Sequence, residues 1–267
     1  MTTIKGGNYF MQNAVKQKLK NGEYATGAFI GFHSPSLAEM LGHSGFDFVV
    51  IDNEHGPLSW GEVEEMIRAV ELTGAVPIVR VAYDQSDIQK ALDRGAMGLH
   101  VPMVNTKEDA EAVVQKAKFP PVGKRGTAYS VRSSKYGKGG GNAYLQQSND
   151  AILIAVHIET PEAVDNIDEI MSVAGIDICY IGPTDLSVTM GYSVEGPDHP
   201  EVQAAMNRVM AAGQKHGVAV GIQVGGASAI PQKQQWGAPY IGVAVTPVLY
   251  AALDEVVKAG KQLNQVK

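Results

Sequence analysis

The chain has 267 residues, of which 45% are apolar and 19% charged, and its net charge is −6. That is enough apolar material for one large α/β domain, and the scattered basic residues exclude a nucleic-acid footprint or a polybasic membrane patch, leaving small-molecule chemistry. The single cysteine, Cys179, excludes an intrachain disulfide or a cysteine-rich metal site, and neither a signal peptide nor a membrane-length apolar window is present, so the chain reads as soluble and cytoplasmic.

The predicted elements alternate along the chain. A leading helix near 9–20 is placed to cover one end of the fold, followed by a strand at 27–32 (GAFIGF), a helix at 35–44 and a strand at 47–51 (DFVVI). A helix at 60–73, a strand at 76–81 (VPIVRV), a helix at 86–94 and a strand at 97–101 (MGLHV) come next. Then come a helix at 106–118, a strand at 152–158 (ILIAVHI), a helix at 161–173 and a strand at 177–181 (DICYI). The last part reads as a helix at 200–216, a strand at 218–222 (VAVGI), a helix at 227–235, a strand at 239–244 (PYIGVA) and a helix at 247–264. Thr106 with Asp109, and Thr160 with Pro161 and Glu162, are helix-start signals. Short β-branched strands joined by crossover helices give a parallel sheet, and eight of them close a (β/α)8 TIM barrel spanning 1–267 as one domain. A doubly wound open sheet uses the same alternation, but no glycine-rich dinucleotide fingerprint follows the first strand.

One segment breaks the pattern. Residues 120–150 are rich in Gly, Ser, Lys and Arg, and about thirty residues is far longer than an ordinary connection. Its position after the fourth strand predicts an excursion over the catalytic mouth; a plain surface insertion is the alternative.

Chemistry in such barrels sits at the C-terminal ends of the strands. The polar residues there are Asp52, Asn53, Glu54 and His55 after the second strand, Arg80 on the third, and His100 on the fourth. His157 and Glu159 end the fifth, and Gly182, Pro183, Thr184 and Asp185 follow the sixth. Glu159 and Asp185, projecting from adjacent strand ends, could hold one hard divalent ion such as Mg²⁺ or Mn²⁺. Acids at strand ends also cap helices, and that alternative stands. His55, held by Asp52 or Glu54, suits proton transfer near neutral pH. Arg80 inside an apolar run needs an anion, either a substrate carboxylate or one of the acids nearby. None of the eight strands carries a lysine, so a Schiff-base route has no nucleophile there.

The runs AEMLGHSGFDFVVIDNEHGP (38–57), VPIVRV (76–81), ALDRGAMGLHVPMVNTKEDA (91–110), GKRG (123–126), VHIETPEAV (156–164) and IGPTDLSVTMGY (181–192), in this order, resemble the HpcH/HpaI aldolase family. The resemblance implies a metal-dependent aldolase that cleaves a 4-hydroxy-2-oxoacid to pyruvate and an aldehyde through a pyruvate enolate. It makes Glu159 and Asp185 the ligands of a divalent metal ion (Mg²⁺ or Mn²⁺, with Co²⁺ a further candidate). It makes His55 the base, Arg80 the pyruvate-contacting arginine, and Asp52 and Asp93 members of the polar network around His55. Gly182 to Asp185 match the segment whose backbone amides receive the pyruvate carboxylate, and His157 borders the substrate. The family's hexamers, trimers of dimers that exchange the last helix, imply a homo-oligomer here.

The chain departs from the family pattern at His157, where relatives often have Gln, at Asn53, and in VAVTPVLY (243–250), which lacks a Ser-Asp step. These departures point to an aldehyde preference unlike that of the dicarboxylate-handling members. Two other readings use the same scaffold: an oxaloacetate decarboxylase or macrophomate-synthase-like enzyme working through the same enolate, and a non-catalytic 2-oxoacid-binding protein.

Overall fold

The computed structural model describes residues 12–82 and 86–262. Eight parallel strands form a closed barrel in chain order: β1 Ala25–Ile30, β2 Phe48–Asp52, β3 Val76–Arg80, β4 Gly98–Val101, β5 Leu153–Ile158, β6 Ile178–Ile181, β7 Ala219–Val224 and β8 Tyr240–Ala244. β8 pairs back onto β1, from Ala25 opposite Tyr240 to Phe29 opposite Ala244. Every strand therefore has two neighbours and no edge is left unpaired. All eight expected strands are present, and helices between them cover the outside of the sheet.

The apolar residues divide into two layers because side chains alternate across each strand. One set, including Val49, Ile51, Val79, Leu99, Ile154, Val156 and Cys179, points outward against the helices. There Cys179 is fully buried, and burial pushes its thiol up to about 12, so it is inert at neutral pH. The other set fills the barrel: Phe29, Phe48, Val50, Ile78, Tyr180 and Tyr240. The rings of Phe48 and Tyr240 stack with centroids 4.2 Å apart. Such bulk fits only where facing positions lack side chains. A Cβ added to Gly221 would stand 2.6 Å from the Tyr180 ring and 2.8 Å from the Tyr240 ring, and one at Gly242 would stand 2.4 Å from the Tyr180 hydroxyl.

The cap signals act as the sequence implies. Thr106 and Asp109 form a reciprocal capping box, as do Ser59 and Glu62, and the Thr160 side chain accepts the Ala163 N–H. The leading helix runs over Ala14–Lys20, and the part of it expected at 9–11 lies outside the described residues. Asn13 donates to the Met97 carbonyl at 2.8 Å and Lys16 to the Ile152 carbonyl at 3.1 Å, so this helix closes the end where strands begin. The helix expected at 161–173 is broken at Asn166 into Pro161–Asp165 and Ile167–Met171. Two helices are additional: Gly141–Ala151 and Pro183–Thr189. Among the described residues no helix is long and apolar enough to cross a membrane.

The expectation for 120–150 is corrected. Helix Lys107–Ala117 comes between β4 and this segment, so the chain has returned to the end of the barrel where strands start before the excursion begins. Lys118 donates to the Ile152 carbonyl at 2.8 Å, next to the start of β5. Arg132 reaches Glu71 and the Arg94 carbonyl, at the finishing ends of two other helices. Within one chain the excursion therefore packs against the face opposite the mouth.

Gly221→Ala is expected to cost about 1–3 kcal/mol through forced displacement of Tyr180 and Tyr240. Urea unfolding followed by circular dichroism checks this, and an unchanged midpoint would refute the packing account.

Candidate active site

The mouth is built from strand ends, and its first half comes from β2 and β3. Asp52 stands opposite Arg80 in the parallel register, so both side chains project to the same side. Arg80 Nε lies 2.8 Å from Asp52 Oδ1 and Nη2 lies 2.5 Å from Oδ2, a bidentate pair, while Nη1 is 3.2 Å from Glu54 Oε2. Asp52 Oδ1 also accepts the backbone N–H groups of Glu54 and His55, at 3.1 and 3.3 Å. Arg80 thus meets its anion within the protein: the nearby acids, the second of the two options open from sequence, orient its fork. Burial pushes the Asp52 carboxyl up, but the Arg80 hydrogen bond and charge and the two backbone donors outweigh it and hold the group below the usual carboxylate range. Glu54 ends on the other side: burial dominates and raises it despite Arg80, His157 and His55.

His55 sits at the lip, its side chain 66% exposed and Nε2 3.7 Å from Glu54 Oε2. Asp52 holds the backbone of His55 and leaves the ring to Glu54.

The second half comes from β5 and β6. Glu159 is 4% exposed; its Oε1 accepts the Met103 N–H at 2.8 Å, and its Oε2 lies 3.4 Å from His157 Nδ1. Met103 adopts the left-handed region with φ 54°, a strained conformation for a side-chain-bearing residue that aims its N–H at the carboxylate. Burial pushes Glu159 up, but the His157 hydrogen bond and the Met103 donor, among others, keep it below the usual range; the Arg80 charge acts on it too, linking the two halves. Gly182 lies between the acids: a Cβ there would stand 2.9 Å from Glu159 Oε2 and 3.7 Å from Asp185 Oδ2. Both carboxylates therefore come near Gly182, where a larger residue would crowd Glu159. The capping alternative falls away for both. Thr160 caps the helix after Glu159, and Asp185 sits inside the first turn of Pro183–Thr189, whose cap position is Gly182. Among the described residues no cluster of three His, Cys, Asp or Glu side chains is poised around a metal position.

Three placements differ from the sequence reading. His157, expected to border the substrate, is 2% exposed below the mouth, and both ring nitrogens have partners: Glu159 on one side and His100 Nδ1, at 2.9 Å, on the other. Asp93, expected around His55, ends the helix Asp87–Asp93 and pairs with Arg125 at 2.7 Å, where the chain is about to enter β4. Of Gly182 to Asp185, Pro183 has no N–H and the Gly182 N–H goes to the Ile158 carbonyl at 3.4 Å, so only Thr184 and Asp185 have amides to offer a ligand.

Beside Asp185 opens a cavity of about 540 Å³, lined among others by Thr184, Gln223, Gln232 and Lys233. Of the two acids that the sequence offers to hold His55, Glu54 is the one beside its ring. Nothing in the sequence marked Met103 or Tyr240.

The profile of the HpcH/HpaI aldolase/citrate lyase family matches residues 25–252. The chain belongs to this family. A 2-keto-3-deoxy-L-rhamnonate aldolase of Escherichia coli (strain K12) is 35% identical over 270 residues, covering 97% of this chain and 98% of that protein. A solved HpcH/HpaI aldolase/citrate lyase family protein from Burkholderia cenocepacia J2315 is 34% identical with a TM-score of 0.89, covering 94% of this chain and 100% of its own. The solved citrate synthase SbnG is 28% identical with a TM-score of 0.83, covering 94% and 98%. As an HpcH/HpaI member, the chain is an enzyme of carbon–carbon bond chemistry.

The two neighbouring acids should respond to pH with opposite signs. Asp52, depressed in the folded state, contributes stability that is present above its unfolded pKa of about 3.9 and lost as pH falls through the folded value. Glu54, raised in the folded state, favours folding below its unfolded pKa, and that contribution is lost as pH rises through the folded value. Asp52→Ala should cost roughly 3 kcal/mol at pH 7 by leaving Arg80 with Glu54 as its remaining acid, whereas Glu54→Gln should raise stability there, and both differences should shrink toward pH 3. Unfolding titrations across this range decide it, and two variants with the same sign would refute the assignment.

Proposed function

We propose that this chain is a class II aldolase that reversibly cleaves a 4-hydroxy-2-oxoacid into pyruvate and an aldehyde, with Glu159 and Asp185 as ligands of a divalent cation. The carrying observation is that Glu159 Oε2 and Asp185 Oδ2 both lie beside Gly182, at 2.9 and 3.7 Å from where its Cβ would stand, which brings the two carboxylates into one neighbourhood. Oxygen ligands with positions to spare suit Mg²⁺ or Mn²⁺, with Co²⁺ next. When bound, such an ion acts as a Lewis acid toward the 2-oxo oxygen.

The chain's own residues do the rest. Arg80, locked by Asp52 and Glu54, adds positive charge where the oxyanion grows. The amides of Thr184 and Asp185 receive the carboxylate. His55, exposed at the lip with Glu54 beside it, takes the proton of the 4-hydroxyl as the C3–C4 bond breaks and its electron pair passes into the enolate; a proton added at C3 then gives pyruvate, and the reverse direction runs the same transfers backwards. None of the eight strands contains a lysine, which supports the metal route over a Schiff base. Amide side chains in the cavity beside Asp185 suit a hydroxylated aldehyde, and the named E. coli relative acts on a deoxy sugar acid. A second reading, oxaloacetate decarboxylation through the same enolate, draws on the similarity to a citrate synthase.

The reading includes a homo-oligomer, a hexamer in the family manner, working in the cytoplasm. Helix Val245–Gln262 stands off the barrel: every residue from Thr246 to Lys261 is exposed, including Leu253 at 60% and Val256 at 72%. An apolar face of this extent suits a second copy. The role that the resemblance gives Asp93 also needs one, since in a single chain Asp93 pairs with Arg125 and not with His55.

Incubation of pyruvate with hydroxylated aldehydes and Mg²⁺, Mn²⁺ or Co²⁺ should yield new carbon–carbon bonds, and Glu159→Gln or exhaustive chelation should lower the rate at least a hundredfold. Oxaloacetate loss without aldol product would favour the decarboxylase, and full turnover after chelation would refute the cation site. In light scattering, Leu253→Asp with Val256→Asp should give a smaller species than the parent, with aldol activity lost; an unchanged mass would remove the oligomer from the reading.

A further inference from the structure

Three glutamines line the cavity beside Asp185. Gln203 donates to the Pro197 carbonyl at 2.7 Å, and Gln232 stands exposed on the helix Ile230–Trp236. Gln223 differs from both: it is half-buried near the end of β7, and among the described residues no hydrogen bond engages its amide. Its direction follows from the alternation of side chains along a strand. A Cβ on Gly221 would meet the rings of Tyr180 and Tyr240 inside the barrel, so Gln223, two positions on, also faces inward, one layer nearer the mouth. β6 and β7 pair up to Ile181 opposite Ile222, which makes Gly182 and Gln223 the next neighbours. Gly182 thus has Glu159 on one side and Gln223 on the other.

The proposed aldolase site gives its substrate a direction. The carboxylate lies at the amides of Thr184 and Asp185, after β6, and the 4-hydroxyl lies at His55, after β2, which stands four strands away across the closed barrel. The carbon chain therefore crosses the mouth from β6 to β2. One flank of that path, from β3 to β5, carries Arg80 and Glu159, and the 2-oxo oxygen belongs on it. On the other flank β7, β8 and β1 end in Gln223, Ala244 and Gly31; Gly31 faces inward too, since a Cβ there would lie 3.5 Å from Asp52 Oδ2. Ala244 and Gly31 leave space. Gln223 is the polar side chain of this flank, and it stands at the carboxylate end of the path. The part of the substrate that passes it is C3, the carbon that becomes the nucleophile. The oxygens on C1 and C2 already have partners, and the methyl of pyruvate offers an amide nothing. A hydroxyl on C3 would donate to the amide oxygen and accept from the amide N–H.

We infer that Gln223 is a specificity residue for a hydroxyl on C3, so that 3-hydroxy-2-oxopropanoate (hydroxypyruvate) serves as nucleophile besides pyruvate, and 3,4-dihydroxy-2-oxoacids are cleaved. The inference rests on the reading of the chain as an aldolase. The chemistry balances as it does for pyruvate. The C3–C4 bond breaks, its electron pair enters the enolate, the 4-hydroxyl proton passes to His55, and a proton added at C3 gives hydroxypyruvate. A site that hydrogen-bonds a substrate hydroxyl discriminates against the analogue without it, because its own polar group is then left unpaired.

Gln223→Met tests this, because it keeps an unbranched side chain of similar length and removes the amide. With Mn²⁺ present, kcat/KM is measured for hydroxypyruvate and for pyruvate, each against glycolaldehyde and against acetaldehyde. The parent should form product from hydroxypyruvate, and the ratio of hydroxypyruvate to pyruvate kcat/KM should fall about tenfold in the variant with either aldehyde. Isothermal calorimetry without aldehyde should show the same fall in the ratio of the two affinities. Gln223→Leu carries the comparison should Gln223→Met not fold. Product from pyruvate alone overturns the inference, as does an unmoved ratio. An equal loss for both donors would place the amide on the shared carboxylate, and a loss that follows the hydroxyl of glycolaldehyde would place it on the aldehyde; either result overturns the assignment to C3. Absence of product from both donors would overturn the aldolase reading itself, and this inference with it.

Discussion

A carboxylate buried at a strand end keeps its charge only if its surroundings replace water, and Glu159 is the place where this protein meets that demand. Burial alone would raise its proton affinity; the His157 hydrogen bond, a backbone N–H from a strained Met103 and the more distant charge of Arg80 together hold it below the usual carboxylate range. Each of these comes from a different strand or loop. The closed barrel is the device that brings them together, since β3, β4 and β5 adjoin in the sheet and finish at the same end.

The other half of the mouth obeys the same constraint with the opposite balance. Asp52 and Arg80 satisfy one another bidentately, and the third face of the guanidinium goes to Glu54. One cation cannot fully compensate two buried acids, so the better-bonded Asp52 is depressed and Glu54 is raised. That inequality sets two acids of unlike proton affinity beside a solvent-exposed histidine.

The interior that supports this mouth is unusual for its polar content. Small residues at Gly221 and Gly242 admit large rings, and among those rings run Tyr240, His100 and His157. In a low-dielectric interior such a row is costly unless its members bond one another, and the contacts run from the barrel's middle to Glu159. The interior and the active site are in this sense one structure.

By itself the sequence determined the eight strands, their order and most of the helices, because alternation and cap residues act over a few neighbouring positions. It also picked out Asp52, His55, Arg80, Glu159 and Asp185, since ionisable groups at the end of an apolar strand are conspicuous anywhere. Tertiary structure decided what those groups touch. That His157 faces His100 and Glu159, that Asp93 turns to Arg125, and that residues 120–150 lie at the end where strands start all depend on pairings between residues tens of positions apart. Only closure of the barrel fixes such pairings: local periodicity says which way a side chain points from its own strand, and the neighbouring strands say what it meets.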